Sequence, residues 1–315
     1  MKAYYSKAYG GSEASVYGEL PDPVAGENQI LLEVRAASIN PADYKVKRGD
    51  LKFLTGNKFP RVMGSDFAGI VKETGINVTG FKPGDRIYGG TSVFHGKPGA
   101  LSELLVVDAS SARHIPEGMS FEEAASMPVA VLTALSGIRV CRAGPGKSVL
   151  VNGSTGGVGH FAVQIAKARG AEVTATCSDA NAGLAKKLGA DYTIGYSNKE
   201  LASHNRKFDA IMDAFGRMDP KIVNRLLKRG GIYASTLPAP KRILSSFFVK
   251  LFSGKKMVSA NMRTRASDYD EIEKLFNEKK LIPVIENIFK LEEAAKAFDV
   301  AEKGRPRGKV VVKVL

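Results

Sequence analysis

The pattern of hydrophobic and polar positions divides the chain into a β-rich part and a part in which strands and helices alternate. In roughly the first hundred residues, short apolar and β-branched runs are separated by glycine and proline. Such runs between turn signals predict strands, for example at 29–36, 67–73 and 101–107. The segment 40–49 differs, because a proline near its start and a glycine at its end are typical of a short helix. This part therefore predicts a β-rich, barrel-like module.

A second pattern begins near Ser120, where helix-rich sequence leads into alternating strands and helices. Helices are predicted at 121–128, 129–138, 161–169 and 220–228, and another ends at Leu188 before Gly189. Strands are predicted at 148–152, 172–177, 192–194, 208–213 and 231–236. Strands that alternate with helices form a parallel sheet joined by right-handed crossovers, so this part predicts a doubly wound α/β domain.

The C-terminal part of the chain supplies the remaining elements. Residues 257–262 predict a sixth strand, and at the edge of the sheet it would be exposed to pairing with a second subunit. We therefore expect a homodimer. Helices are predicted from Asp268 and at 291–303, and a final strand at 309–314 is expected to return to the first module.

The first strand of the alternating part ends in a glycine cluster, 153–159, that opens a helix. In such a strand–turn–helix unit, backbone N–H groups and the positive end of the helix receive a pyrophosphate. Against the G-x-G-x-x-G fingerprint, Gly156 and Gly159 supply the last two glycines and Ser154 stands at the first. Gly153 can still permit the tight turn. The stretch predicts dinucleotide binding, with a purely structural turn as the alternative.

The end of the next strand bears on the choice between NADH and NADPH. An acidic residue about 20 positions after the glycine cluster would bind the ribose hydroxyls and select NAD. This chain has Thr176, Cys177 and Ser178 there, with no acid until Asp179. A serine hydroxyl can donate to a phosphate, whereas a carboxylate would repel it. NADPH is therefore favoured, and Asp179 keeps NADH open.

The composition is that of an ordinary soluble globular protein, with 44% hydrophobic and 25% charged residues in a chain of 315. This length suffices for two domains, each with its own core. No apolar run reaches the roughly 18 residues of a membrane span. Residues 1–5 lack the apolar core of a signal peptide. We therefore expect a cytoplasmic protein.

The formal net charge of +14 could attract RNA, an anionic lipid surface or an anionic cofactor. Basic residues are spread over the chain, with a mild concentration at 241–265 around the apolar run 243–252. That run could be a lid over a substrate pocket, a subunit contact or a membrane-facing surface. The sequence contains no recognisable nucleic-acid-binding motif. Association with RNA or an anionic membrane is the second hypothesis for function.

Metal and nucleophile chemistry find little support in the sequence. Cys141 and Cys177 are too few for a disulfide framework or a four-cysteine zinc site. The four histidines have no metal-ligand spacing; they are His95, His114, His160 and His204. The Gly-x-Ser-x-Gly elbow of a hydrolase is also missing from the sequence. A nicotinamide cofactor would then carry out the redox step itself, by hydride transfer.

Five stretches resemble the zinc-independent quinone oxidoreductases of the medium-chain dehydrogenase/reductase superfamily, especially the branch that contains the enone oxidoreductases. They lie at 38–45, 64–69, 128–134, 154–159 and 308–312, in the family's order and across nearly the whole chain. Zinc-dependent relatives need a cysteine and a His-Glu pair, plus a four-cysteine lobe. Here Asn40 and residues 64–66 stand in the corresponding places and the lobe is missing, so an alcohol dehydrogenase is not expected.

The resemblance implies a GroES-like catalytic domain formed by residues 1–122 and 268–315, with a Rossmann domain at 123–267 between them. It implies contacts to the 2′-phosphate, the pyrophosphate and the nicotinamide of NADP(H). The implied cofactor-binding residues are Lys45, Thr133, Ser154, Thr155, Gly156, Gly157, Val158, Ser178, Tyr196, Phe215, Leu237, Arg307 and Gly308. Among these, Ser178 and Tyr196 are implied to contact the 2′-phosphate. Thr133, Phe215 and Leu237 are implied to lie near the nicotinamide.

The leading hypothesis is hydride transfer from NADPH to a quinone or to the β-carbon of an α,β-unsaturated carbonyl. Negative charge then develops on the carbonyl oxygen, where a cation or hydrogen-bond donor stabilises the transition state. Tyr44, Lys45 and Asn40 are the catalytic candidates, and Tyr44 or water could supply the final proton. Alternatively, Tyr44 only shapes the pocket and Lys45 only holds the cofactor. An enoyl-thioester reductase is a further alternative, and no metal is expected.

Overall fold

The computed structural model describes residues 1–91, 98–237, 254–260, 265–303 and 306–315. Within them the chain forms two units, the first made of Met1–Val129 with Val284–Leu315 and the second of Ala130–Pro283. Several predictions lie outside the described residues, namely those for His95, for the apolar run 243–252 and for the flanking Lys241, Arg242 and Arg263.

The strands of the described residues are numbered β1 to β16 in chain order. They are β1 Lys2–Ser6, β2 Ser15–Glu19, β3 Gln29–Ser38, β4 Arg61–Val62, β5 Asp66–Thr74, β6 Arg86–Gly90, β7 Leu104–Asp108, β8 Ala112–His114, β9 Ser148–Asn152, β10 Glu172–Cys177, β11 Tyr192–Gly195, β12 Phe208–Asp213, β13 Leu227–Ser235, β14 Lys256–Ser259, β15 Ile285–Lys290 and β16 Lys309–Lys313. Seven of the ten predicted strands coincide with observed strands to within two residues at each end, because alternating apolar positions and turn residues are local signals.

The helices of the described residues are numbered α1 to α10 in the same way. They are α1 Pro41–Arg48, α2 Lys52–Thr55, α3 Phe121–Ser126, α4 Pro128–Val140, α5 Gly159–Ala168, α6 Asp179–Lys187, α7 Asn198–Ser203, α8 Pro220–Leu226, α9 Ala266–Asn277 and α10 Ala294–Lys303. Short 3-10 turns lie at Ser12–Ala14, Ala109–Ser111 and Leu291–Glu293. The helix predicted at 220–228 ends earlier, since Leu227 already has extended backbone angles and begins β13.

The first unit is built around a sheet to which both ends of its chain contribute. Its strands run in the order β15-β16-β3-β5-β6-β8, with β7 also pairing with β3, and a small sheet has the order β2-β1-β4. The final strand β16 is antiparallel to β3, with Val311 opposite Ser38, which confirms the expected return of the chain. Fully buried side chains such as Phe67, Ile87 and Phe298 belong to the core of this unit.

The second unit contains a parallel sheet of six strands in the order β11-β10-β9-β12-β13-β14. From β9 the chain runs outward to β10 and β11 and then returns to β12 on the other side of β9. The direction of winding therefore reverses between β9 and β12. In such sheets ligands bind at this reversal, at the carboxyl ends of the strands. The predicted α/β class with a doubly wound parallel sheet is confirmed.

The two units are divided at 129/130 and 283/284, whereas the sequence placed the boundaries at 122/123 and 267/268. The difference at the second boundary has a physical reason in helix α9. Asp268 of this helix forms an ion pair with Arg139 of α4, and Glu271 pairs with Arg169 at 2.6 Å. These contacts attach α9 to the second unit, although the chain turns to the first unit soon afterwards.

Strand β14 lies at one edge of the parallel sheet. Within the described residues its neighbour is β13, with Tyr233 opposite Met257. Val258 on the same strand is 39% exposed. Among the described strands β14 is therefore an edge strand, and its pairing with a second subunit stays a prediction.

The described helices of both units are short. The two longest of the described helices, α4 and α9, contain 13 and 12 residues. A helix needs about 20 apolar residues to cross the hydrocarbon core of a bilayer. Over the described ranges, none of the helices has the length and apolar character to do so.

Candidate active site

The glycine cluster lies at the point where the winding of the sheet reverses. Strand β9 ends at Asn152, a loop spans 153–158, and α5 begins at Gly159. Gly153 has a φ of +73°, a left-handed conformation that glycine adopts without strain. A Cβ on Gly159 would lie 1.9 Å from the carbonyl oxygen of Gly153, whereas one on Gly156 would lie 3.5 Å from it. The fold itself requires Gly159, and Gly156 leaves space for a ligand.

Ser154, which stands at the first position of the fingerprint, fastens the loop to β10. Its hydroxyl donates to the carbonyl oxygen of Thr176 at 2.9 Å, and its N–H group donates to the same oxygen at 3.2 Å. The side chain is fully buried. Ser154 therefore stabilises the loop from inside, and a direct contact with a cofactor stays a prediction.

The residues expected to contact the 2′-phosphate leave adjacent strands side by side. Cys177 at the end of β10 pairs with Gly195 at the end of β11 in parallel register, so Ser178 and Tyr196 follow at the same edge. Ser178 is half-buried at the N-cap position of α6, and Tyr196 is 55% exposed. The first carboxylate after β10 belongs to Asp179, which is exposed in the first turn of α6.

Phe215 and Leu237 are the residues expected near the nicotinamide, and Phe215 packs beside the glycine loop while Leu237 packs beside Gly216. The Cβ of Phe215 lies 3.3 Å from the position that a Cβ of Gly153 would occupy. Leu237 lies against Gly216, where an added Cβ would meet its Cγ at 2.6 Å. Phe215 is 53% exposed, with the guanidinium carbon of Arg217 5.6 Å from its ring centre. The structure thus brings these predicted residues to the carboxyl edge of the parallel sheet.

Most of the other predicted cofactor residues of the second unit are less exposed than Tyr196 and Phe215. Thr155 is buried, with Oγ1 3.5 Å from Nδ2 of Asn181. Four more are half-buried, namely Thr133 in α4 and Gly156, Gly157 and Val158 in the loop. Their contacts to a cofactor stay predictions.

In the first unit, Asn40 directly precedes helix α1, and its side chain is buried among polar groups. Its Nδ2 donates to Ser65 Oγ at 3.0 Å and to Asp66 Oδ2 at 2.7 Å. Its Oδ1 accepts from Lys309 Nζ at 2.5 Å. Both amide hydrogens therefore have partners inside the unit, and only 3% of the residue is exposed. Donation by Asn40 to a substrate stays a prediction, and it would require one of these bonds to break.

Lys309 and Asp66 form a buried ion pair in the same cluster. Lys309 Nζ lies 3.4 Å from Asp66 Oδ2, and the two side chains are 3% and 0% exposed. The carboxylate also accepts from the hydroxyl of Ser38 at 2.9 Å and from the N–H of Val129 at 3.0 Å. Burial lowers the pKa of Lys309, and the charges of Asp66 and Asp43 oppose that shift. Lys309 is thus the cation that balances Asp66 inside the unit.

Asp43 is a second carboxyl group of this cluster, and burial raises its pKa to about 7. The hydrogen bond from the N–H of Asn40 opposes this rise, and so do the charge of Lys309 and the hydroxyl of Ser65. The negative charge of Asp66 adds to the rise. Oδ2 accepts from Asn40 N at 2.7 Å and from Ser65 Oγ at 3.2 Å. Oδ1 is buried and has no hydrogen-bond partner among the described residues. A protonated Asp43 leaves one ammonium and one carboxylate in the cluster.

Substitution of Asp43 by asparagine is expected to reduce the loss of stability on raising the pH from about 5 to about 8. The pKa of about 7 in the folded protein lies above the ordinary value of 3.8. The stabilisation is complete below the unfolded pKa and is lost as the pH rises to and through the folded pKa, and the part lost between about pH 5 and about pH 8 is about 2–3 kcal/mol. Urea unfolding at a series of pH values measures this slope.

The matched control for that experiment is Asp209→Asn. The hydrogen bond from Lys228 is the largest of the effects that lower the pKa of Asp209 to about 2, against an opposing effect of burial. Asp209 therefore keeps its charge over the whole interval, and its removal should leave the slope as in the wild type. An Asp43→Asn protein with the wild-type slope would contradict the titration of Asp43.

Helix α1 carries the other two catalytic candidates of the first unit. Tyr44 and Lys45 are both half-buried, and Tyr44 packs against the core of the unit. The guanidinium carbon of Arg48 lies 5.7 Å from the ring centre of Tyr44. Asn40 and Asp43 hold the first turn of the same helix, because Asn40 N donates to the Asp43 carboxylate. The buried cluster therefore fixes the helix that presents both candidates.

Arg307 and Gly308, implied as cofactor contacts, precede Lys309 at the start of β16. The N–H and the guanidinium of Arg307 both bind the carboxylate of Glu286, each at 2.9 Å. Gly308 has a φ of +72°, and a Cβ there would lie 2.0 Å from the carbonyl oxygen of Val284. Glycine is therefore required at 308 by the fold, and contacts of either residue with a cofactor stay predictions.

The polar residues that support the site in each unit were not predicted from the sequence. They are Asp43, Asp66 and Lys309 in the first unit and Asn152, Thr176 and Asp213 in the second. The last three share a signal that could have been read, since each polar side chain ends or nearly ends an apolar strand. The bond between Lys309 and Asn40 spans 269 positions of the chain, which no local pattern reveals.

Comparison with known proteins bears on both units. Two family models match, described as alcohol dehydrogenase GroES-like domain over residues 26–117 and as zinc-binding dehydrogenase over residues 188–312. The mitochondrial NAD(P)H oxidoreductase RTN4IP1 of Mus musculus is 34% identical, over 91% of this chain and 82% of the relative. The 2-methylene-furan-3-one reductase of Solanum lycopersicum is 32% identical, over 99% and 79%. The structure of the quinone oxidoreductase from Coxiella burnetii is 31% identical with a TM-score of 0.87, over 100% and 99%.

A GroES-like unit and a parallel-sheet unit with a glycine loop at its reversal point define an oxidoreductase of the quinone oxidoreductase and enone reductase type. The chain belongs to the medium-chain dehydrogenase/reductase superfamily, in its quinone oxidoreductase branch. The family and the fold inferred from the sequence are thereby confirmed.

The description of one matching model includes zinc, but the described residues of this chain do not fit that ion. Zinc sites in proteins use three or four ligands drawn from cysteine, histidine and carboxylate side chains. The cluster around Asn40 offers an amide, the hydroxyl of Ser65 and carboxylates, with the ammonium of Lys309 already bound to Asn40 and Asp66. The described residues contain no group of three or more histidine, cysteine or acidic side chains that could hold a metal. We assign no step of the reaction to zinc.

Proposed function

We propose that this protein is a zinc-independent, NADPH-dependent reductase of quinones or of the C=C bond of α,β-unsaturated carbonyls. The observation that carries the proposal is the glycine loop at the reversal point of the parallel sheet. There Gly159 allows the loop to close on itself, and Gly156 leaves room for a ligand. Backbone N–H groups at the start of α5 suit a pyrophosphate. The relatives are named for NAD(P)H, for quinones and for 2-methylene-furan-3-one, which supports the same chemistry.

The preference for NADPH is supported by the edge at which β10 and β11 end. Ser178 and Tyr196 leave this edge together, and their hydroxyls can donate to a phosphate. The exposed carboxylate of Asp179 begins the next helix instead of ending the strand. The net charge of +14 also favours the more anionic cofactor.

The double substitution Ser178→Ala with Tyr196→Phe is expected to raise the Kd for NADPH by about tenfold or more, because it removes two donors to the 2′-phosphate. The Kd for NADH should stay within about threefold, since that cofactor has hydroxyls in place of the phosphate. Titration of nicotinamide fluorescence measures both. Tyr192→Phe, on an exposed tyrosine at the opposite end of β11, is the matched control. Equal losses for both cofactors would show that these residues do not select the phosphate.

The residues of the first unit stabilise the charge that develops during reduction. NADPH, when bound, supplies the hydride. The acceptor oxygen then gains negative charge, and a donor placed beside it lowers the barrier. Tyr44 and Lys45 on α1 are the donors proposed for this role, with Tyr44 or water giving the final proton. Asn40 has both amide hydrogens bound to Ser65 and Asp66, so the proposal assigns it to holding the start of α1.

A panel of acceptors tests the proposed reaction. Purified protein is mixed with NADPH and a quinone, an alkyl vinyl ketone, an alkenal, a simple aldehyde or an enoyl thioester, and the nicotinamide absorbance is followed. We expect oxidation of NADPH with the quinone or the enones. Turnover confined to the thioester would favour an enoyl-thioester reductase. No turnover with any quinone, enone or aldehyde would remove the proposal.

Substitution Lys45→Met separates a catalytic role of this residue from a role in holding the cofactor. If the ammonium stabilises the developing charge, kcat should fall by about tenfold or more, with the Kd for NADPH within about threefold. Lys52→Met, on an exposed lysine of α2, is the control. A Lys45→Met protein with wild-type kcat and weakened NADPH binding would assign Lys45 to the cofactor alone.

The net charge of +14 supports a second candidate, an NADPH-binding protein that acts mainly by association with RNA or an anionic membrane. Of the basic residues around 241–265, Lys255 is buried and binds the carbonyl and side-chain oxygens of Asn224, which weakens this candidate. Such association should fall steeply as salt is added. Binding to RNA or to vesicles with anionic lipids that is absent or insensitive to salt would dismiss it.

The exposed edge of β14 supports a homodimer. A strand at the edge of a sheet can pair with a second copy of the same strand. Size-exclusion chromatography with light scattering tests this proposal, and a proline in place of Val258 should shift a dimer to monomer. A monomeric wild-type protein at all concentrations would refute it.

A further inference from the structure

Asp213, the last residue of β12, is a fully buried carboxylate with four neutral donors. Oδ1 accepts from Asn152 Nδ2 and from the N–H of Gly216, both at 2.8 Å. Oδ2 accepts from the N–H of Met218 at 2.9 Å and from the hydroxyl of Tyr233 at 2.6 Å. A buried carboxylate with this many donors is held in one orientation. It fixes the backbone of the loop 214–218.

The same network reaches the glycine loop through two further side chains. Asn152 Oδ1 accepts from the hydroxyl of Thr176 at 2.7 Å. That hydroxyl oxygen in turn accepts from the N–H of Gly153 at 3.1 Å. A continuous chain of hydrogen bonds therefore joins Gly153 to the loop that follows Asp213. Its four strands, in spatial order β10, β9, β12 and β13, are adjacent in the sheet.

The bond between Asn152 and Asp213 crosses from β9 to β12, where the winding of the sheet reverses. This is the place at which doubly wound sheets bind their ligands. The glycine loop follows β9 and the loop 214–218 follows β12, so the two loops flank this reversal and would form the walls of the crevice. They lie close together, since a Cβ added to Gly153 would be 3.3 Å from Phe215 Cβ. A shift of either loop therefore changes the shape of the crevice.

We propose that Asp213 is a positioning residue that sets the distance between the two walls of the cofactor crevice, acting through Asn152 on one side and through the backbone of Gly216 and Met218 on the other. The proposal rests on the proposed function for the identity of the ligand, a nicotinamide dinucleotide. In Asp213→Asn an amide NH2 replaces one carboxylate oxygen. This group donates hydrogen bonds and cannot accept them, so it faces at least one of the four donors without forming a bond. The loop must then move to separate them.

The test compares Asp213→Asn with Asp209→Asn. The two residues lie on the same strand, and Asp209 binds Ser148 and Lys228 at the opposite edge of the sheet. We expect Asp213→Asn to raise the Kd for NADPH by about tenfold or more, and Asp209→Asn to leave it within about twofold. Hydrogen exchange should accelerate at 153–158 and 214–218 in Asp213→Asn and stay unchanged there in Asp209→Asn. This second readout needs no cofactor.

A double-mutant cycle with Thr176→Val checks whether the two loops are coupled. Thr176→Val removes the link to Gly153. The rise in the Kd for NADPH that it causes should therefore be smaller in the Asp213→Asn protein than in the wild type, by at least about threefold. If Asp213→Asn does not fold, Tyr233→Phe removes one donor and keeps the volume, and about a threefold rise in Kd is expected.

Three results would overturn the proposal. The first is a folded Asp213→Asn protein with wild-type Kd and hydrogen exchange, and the second is an equal loss of affinity in Asp209→Asn. The third is full additivity of the Thr176 and Asp213 substitutions. A wild-type protein that binds neither NADPH nor NADH would instead refute the proposed function, and the exchange measurement would still decide the role of Asp213.

Discussion

Replacement of Lys309 by methionine is expected to lower the free energy of unfolding by about 3–5 kcal/mol, because it leaves a buried carboxylate without its cation. The side chains of Lys309 and Asp66 are 3% and 0% exposed, so water cannot take over the lost interaction. The substitution also removes the donor to Asn40 Oδ1, a bond of 2.5 Å. Urea unfolding at constant pH measures the effect.

An exposed ion pair provides the control for this substitution. Lys303 and Asp299 are 75% and 55% exposed, and Lys303→Met should change the stability by no more than about 0.5–1 kcal/mol. In the double variant Lys309→Met with Asp66→Asn, the carboxylate is removed as well, and part of the lost stability should return. A Lys309→Met protein within about 1 kcal/mol of the wild type would contradict the proposed balance of charge.

Replacement of Gly159 by alanine is expected to abolish dinucleotide binding, with a rise in Kd of about a hundredfold or more. The new Cβ would lie 1.9 Å from the carbonyl oxygen of Gly153 and 2.9 Å from Cα of Ser154. Both are backbone atoms, so the loop must move as a whole. The free energy of unfolding should fall by about 1–3 kcal/mol as well, as for other overpacked sites.

Substitution of two other glycines separates the effect on folding stability from the effect on NADPH binding. Gly156→Ala places a Cβ 3.5 Å from the nearest backbone oxygen, so the fold should keep its stability while NADPH binding weakens by about tenfold. Gly183 in α6 is exposed and has no atom within 4 Å of an added Cβ. Gly183→Ala should stabilise the protein by about 0.5–1 kcal/mol without a change in Kd. Wild-type affinity in Gly159→Ala would refute the role of the loop.

The buried cluster of the first unit explains how helix α1 is held in place. Asn40 and Asp43 hold the first turn of α1, and Lys309 and Asp66 hold Asn40. The candidate donor Lys45 lies on the next turn of that helix. We therefore expect variants of the cluster to alter kcat as well as stability, although none of its members needs to touch the substrate.

Much of the fold follows from the sequence by itself. Strands β10 and β12 occupy the predicted residues 172–177 and 208–213, and α1 begins at the expected proline and ends directly before the expected glycine. These elements depend on the spacing of apolar residues and on capping residues, which act over a few positions of the chain. The glycine loop was predictable for the same reason, because its fingerprint and the flanking elements are contiguous.

Only the tertiary structure decided what the polar residues do. Asn40 lies in a stretch that resembles the family, but its side-chain oxygen is hydrogen-bonded by Lys309, which lies 269 positions away in the chain. In the sequence, Asp213 resembles any acidic residue at the end of a strand. In the folded protein, β9 and β13 place Asn152 and Tyr233 within hydrogen-bond distance of its carboxylate. Hydrogen bonds and charge balance in a buried site depend on distances between side chains from separate elements. The sequence alone therefore determined many of the elements and the glycine loop, and packing of the sheet determined which polar groups support them.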